Sequence, residues 1–155
     1  MTNKQDLVPI SKYLSGHIQM SASTSGEFPW IFTAYYVTDQ DLNLYFLTGP
    51  STIHGKQLVD NPKIAVAIAD APQEPTGKKA GLQMSGLCTQ LENESEVRRA
   101  LSMWCDKLNV HSPDYTYEGM QTGKISGRIY KIVPKKIKFF NENLQEEGKE
   151  KLIEL

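Results

Sequence analysis

LYFLTGPSTIHGKQLVDNPKIAVAI, residues 44–68, runs from one strand through a break and a helix into a second strand. LYFLT (44–48) is aromatic and β-branched, which fits a strand, and Gly49-Pro50 breaks it. The spacing then predicts a helix over 51–61, capped by the hydroxyl of Ser51 or Thr52, with Ile53 and Leu58 on its inner side and Asn61-Pro62 as its stop. KIAVAIAD (63–70) returns as a strand. A helix start exposes unpaired backbone N–H groups and the positive end of the helix dipole, so this corner attracts an anion. Thr48, Ser51 and Thr52 offer hydroxyl donors, Lys56 a charge, and His54 a donor that becomes cationic when protonated. The same residues also fit an ordinary capped surface helix, and neither G-x-G-x-x-G nor G-x-x-x-x-G-K-[ST] occurs in the chain.

Upstream, Leu7, Ile10, Tyr13 and Leu14 recur at helical spacing over about 3–15, with Gly16 as the stop. From His17 to Thr24 the pattern alternates, with Ile18, Met20 and Ala22 on one face, and Ser25-Gly26-Glu27 makes a turn. FPWIFTAYYV (28–37) is apolar on both faces, as a central strand is when a ligand or a partner covers its second side. Asp39 and Asp41 sit in the polar turn after it, where carboxylates serve backbone geometry.

Downstream, PQEPTGKK (72–79) reads as a loop, and AGLQMSGLCTQLEN (80–93) as a long strand in which Gly86 marks a bulge or a close backbone approach. Glu94 to Lys107 carries a helical apolar stripe of Val97, Ala100, Leu101 and Trp104, with Arg98 and Arg99 on a solvated face. Residues 109–124 read as loop. GRIYKIVPKKIKFF (127–140) alternates apolar and basic residues, and Pro134 divides it into two pieces. Residues 141–155 form a charged tail. About six strands with short helices and no βαβ alternation predict a mainly β (α+β) chain, an antiparallel barrel with appended helices in one domain spanning 1–155.

The run from aromatic strand through "LYFLT", the hydroxyl-plus-basic helix start and "LVDNPKIAVAI" to "SGLCTQLE" resembles the pyridoxamine 5'-phosphate oxidase-like, FMN-binding split barrels over about residues 10–140. That resemblance implies a six-stranded Greek-key split barrel, FMN as cofactor, and a homodimer sharing its flavin sites. Thr48 matches the family's phosphate-gripping threonine and Thr52 its small hydroxyl residue. His54 stands where lysine is usual, and Lys56 restores the charge two positions later. Trp30, Thr33-Ala34 and the Thr-x-His variant make the chain most similar to the YhbP-like subgroup. By the same resemblance Phe32, Thr33 and Ala34 line the isoalloxazine, with Trp30 nearby. The family's C-terminal arginine signature has no match in FFNENLQEEGKEKLIEL, so pyridoxamine phosphate oxidase activity itself is not expected.

Composition limits the function classes. Hydrophobic residues are 39% and charged residues 23%, and 17 basic against 18 acidic residues leave a net charge of −1, with no general attraction to nucleic acid. No segment approaches a membrane span or a signal peptide. Cys88 and Cys105 lack C-x-x-C spacing, and His17, His54 and His111 lack metal-ligand spacing, so a reduced, cytoplasmic, metal-free protein is expected. Two functions remain. One is a flavoenzyme passing electrons between a donor such as NAD(P)H and an unidentified small-molecule acceptor, with catalytic residues unknown. The other is a non-catalytic flavin- or small-ligand-binding dimer.

Overall fold

A computed structural model describes residues 4–144 and 150–155. The order is α1 (Lys4–Ser15), β1 (Gln19–Thr24), β2 (Trp30–Thr38), β3 (Leu44–Thr48), α2 (Ile53–Asp60), β4 (Lys63–Ala69), β5 (Ala80–Gln90), α3 (Glu94–Leu108), α4 (Tyr117–Gln121), β6 (Arg128–Asn141) and β7 (Lys151–Glu154). Strands pair antiparallel in the order β3-β2-β1-β4-β5-β6, and β3 also pairs with β6, which closes a six-stranded barrel. β6 is long enough to hold two partners on one edge. Residues 128–132 pair with β3, and residues 136–139 pair with β7.

Alternation builds the core. Met20, Ala22, Tyr36, Phe46, Ile64, Val66, Ile68, Leu82, Met84 and Ile132 turn inward, and α1 closes one end with Ile10, Tyr13 and Leu14. A second cluster lies outside the barrel, where the expected stripe of Val97, Ala100, Leu101 and Trp104 on α3 packs over Val37, Tyr45 and Ile129. Asn93 caps α3, its side chain accepting from the Glu96 N–H. Asp39 does turn work, accepting from the N–H groups of Asp41 and Asn43 at 3.0 Å each. Burial would raise its pKa, but hydrogen bonds from Asn43 and Tyr45 prevail and hold it below the usual carboxylate value.

Several expectations need correction. Pro134 does not divide its segment: β6 is continuous, and the pairing instead shifts register between Ser85 and Gly86, with Pro134 opposite Gly86. Gly86 is required there because a Cβ would lie 2.5 Å from the Val133 carbonyl oxygen. Residues 109–124 contain the short helix α4, capped by Thr116. Ile18 precedes β1 and is exposed. Arg99 is not merely solvated, since its Nη2 donates to Tyr45 Oη at 2.9 Å. The charged tail is partly a strand: Ile153 of β7 is buried, and Lys136 and Lys138 pair with Glu154 and Glu150. Residue 3 of the first helix and residues 145–149 of the tail lie outside the described residues.

Candidate functional site

The corner expected to attract an anion forms where β3 ends and α2 begins. Thr52 is the N-cap: its Oγ1 accepts from the Gly55 N–H at 3.1 Å and donates to the Gly49 carbonyl at 2.7 Å. Its hydroxyl is therefore committed to the turn. Capping at Thr52 makes Ile53 the first helical residue and points it to solvent, so the inner face is His54 and Leu58, an i, i+4 pair. The expectation that Ile53 faces inward is corrected by that register. Gly55 allows the turn to fold back, because a Cβ would lie 2.7 Å from the Pro50 carbonyl oxygen and 2.8 Å from that of Gly49. The first turn leaves the backbone N–H groups of Ile53 and His54 without an intrahelical acceptor.

His54 is only 8% exposed. Its Nε2 lies 2.7 Å from Thr48 Oγ1, and its ring stacks flat on Phe32, with centroids 3.8 Å apart and planes 10° apart. Phe32 in turn meets Phe46, and Phe46 stacks on Tyr130. Burial lowers the His54 pKa below the usual 6.5, so at neutral pH the ring is neutral. Its Nδ1 is buried and has no hydrogen-bond partner among the described residues. A buried nitrogen left unpaired costs roughly 1–3 kcal/mol.

The expected residues divide. Thr48, Thr52 and His54 come together, while Ser51 and Lys56 stand exposed at the same helix start. On β2, Trp30, Phe32 and Ala34 share the face of the buried Tyr36, whereas Thr33 is exposed on the opposite face with Ile31 and Tyr35. Two neighbours of this corner escaped the sequence reading. Gln57 fastens the β1–β2 turn to α2, accepting from Thr24 Oγ1 at 2.6 Å and donating to the Phe28 carbonyl at 3.0 Å. Arg128 is the cross-strand partner of Thr48. A single Gln in a helix and a single Arg at a strand start carry no local signal of such partners.

No group of three or more His, Cys, Asp or Glu able to hold a metal occurs among the described residues. Among them too, no helix is long and apolar enough to cross a membrane. Cys88 and Cys105 are free thiols, and burial pushes the Cys88 pKa up to about 12.

No protein-family model matches the chain. A UPF0306 protein of Yersinia enterocolitica is 31% identical over 99 residues, 63% of this chain and 67% of that protein. A Clostridium acetobutylicum protein related to general stress protein 26 of B. subtilis, of the pyridoxinephosphate oxidase family, superposes with a TM-score of 0.70 at 16% identity, covering 99% of this chain and 97% of its own. HutZ, the heme storage protein of Vibrio cholerae, superposes with a TM-score of 0.66 at 15% identity, covering 87% and 94%. The fold is thus the pyridoxamine 5'-phosphate oxidase-like split barrel.

Proposed function

The chain belongs to the UPF0306 family, and from that premise we propose that it is a cytoplasmic, homodimeric FMN-binding flavoprotein with a redox role. The observation that carries this reading is the unpartnered Nδ1 of His54, buried beside the open first turn of α2. The phosphate of FMN would take the N–H groups of that turn, the Ser51 hydroxyl and the Lys56 ammonium, and would accept from Nδ1–H of a tautomer whose Nε2 accepts from Thr48. Bound FMN supplies electron and hydride transfer, while the protein supplies position and access. Two free thiols support a reducing compartment.

The outer face of the barrel supports the dimer. Register places Ser21, Ser23, Ala65, Ala67 and Ser85 side by side there, bordered by Ile31 at 70% exposure, with Phe28 at 74% exposure in the adjoining turn. Small side chains let a second sheet approach closely, and the apolar border gives it surface to bury.

Absorbance of the freshly purified protein, followed by titration of the apo form with FMN and riboflavin, tests the reading. Flavin bands and FMN binding at least tenfold tighter than riboflavin are expected. A Soret band with no flavin affinity would replace FMN by heme, and equal affinities would remove the phosphate site.

A further inference from the structure

We propose that a separate cavity beside β6 is a binding site for small organic oxyanions, with Arg128 as its anchor. The cavity, about 290 Å³, lies between the end of β5, the first turn of α3, α4 and the start of β6. Its floor is Val97, Met120 and Ile129, all buried, and Gln90, Gln121 and Glu92 stand around it. Arg128 is half-buried in its wall. Nη1 of its guanidinium donates to the carbonyl of Gly127 at 2.9 Å, with longer contacts to those of Ile125 at 3.4 Å and Ser126 at 3.5 Å.

That pinning uses one nitrogen and no charge. Nε and Nη2 have no hydrogen-bond partner among the described residues, and no carboxylate there lies within ion-pair distance of them. Several other cations do pair with acids: Arg98 with Glu94 and Glu118, Lys136 with Glu154, Lys138 with Glu150 and Lys151 with Asp6. Glu92 lines the same cavity as Arg128 yet does not close on it. A guanidinium already immobilised by backbone carbonyls presents its remaining edge as a ready fork, the geometry that takes a carboxylate or phosphate through two parallel hydrogen bonds. The floor is apolar and the rim polar, so the cavity fits a small anion with a compact, partly apolar body. This proposal does not depend on flavin binding.

The test uses the native protein labelled with ¹⁵N, benzoate as the probe and benzamide as its neutral counterpart. Benzoate should shift the amide signals of Gln90, Met120, Gln121 and Ile129 saturably, and benzamide should bind at least tenfold more weakly. Arg128→Gln should weaken benzoate at least tenfold. Arg128→Lys, which keeps the charge and loses the fork, should weaken it several-fold and covers the case in which the first variant is unstable. Glu92→Gln, on the exposed rim, should tighten it two- to threefold by removing a like charge. Absence of saturable shifts, equal binding of benzamide, or benzoate affinity unchanged in Arg128→Lys would overturn the site.

Discussion

His54 brings together a turn, a core and a candidate ligand contact. Its ring face stacks on Phe32, its edge meets the Thr48 hydroxyl, and burial lowers its pKa. The unfolded chain therefore binds the imidazole proton more readily than the native protein, and stability must fall as that proton is taken up. Its contribution is fully present above about pH 6.5, the ordinary histidine value, and is lost as pH drops through the lower native value. Urea unfolding should show a midpoint that declines on acidification below that point, with a shallower decline in His54→Gln. A variant with the same pH slope as the native protein would show that His54 titrates alike in both states. FMN phosphate would favour the charged ring, so FMN affinity should rise over the same acid window and lose that rise in the variant.

Among the elements, the tight α2 start and the α1 closure are the parts most exposed to single substitutions. Gly55→Ala gains about 1 kcal/mol of helix propensity. It also drives a methyl against the Gly49 and Pro50 carbonyls, 2.8 and 2.7 Å away. The clash should win, with a net loss of about 1–3 kcal/mol in chemical denaturation and weaker FMN binding, although Gly55 has no side chain to offer a ligand. At the other end of the barrel, Asp70 accepts from Tyr13 Oη at 3.0 Å and meets His17 Nε2 at 2.5 Å, while His17 Nδ1 donates to the Tyr13 carbonyl at 2.7 Å. Burial first, and Asp70 second, raise the Tyr13 pKa. Asp70→Asn should cost roughly 1 kcal/mol, since these groups are partly exposed, and should speed hydrogen exchange in α1 more than in α3.

For the whole molecule, the proposed dimer rests on the exposed apolar border around the small-residue face. Sedimentation equilibrium at micromolar concentration should give twice the 17.4 kDa chain mass. Ile31→Asp, at a position already in solvent, should leave the barrel folded by circular dichroism and release monomers. Loss of FMN with the partner would show that the flavin sites are shared. A native protein that sediments as a monomer and still binds FMN stoichiometrically would end the shared-site reading.

The six barrel strands, the α2 stop at Asn61-Pro62, the α3 stripe and the barrel class were legible in the sequence, because alternation, helical spacing and proline act within a few residues of their position; β7, held by pairing with β6, was not. The sequence also pointed to Thr48, Thr52 and His54 as one corner, since three hydroxyl or imidazole groups within seven positions around a helix start share a local geometry. Tertiary structure alone decided how that corner is wired. Whether His54 faces solvent as a cation or lies neutral on Phe32 depends on a strand 22 residues earlier in the chain. The same holds for Arg128, brought beside Thr48 by barrel closure across 80 residues, and for Pro134, tolerated within β6 because the register shifts opposite Gly86. Long-range pairing sets burial, and burial sets charge.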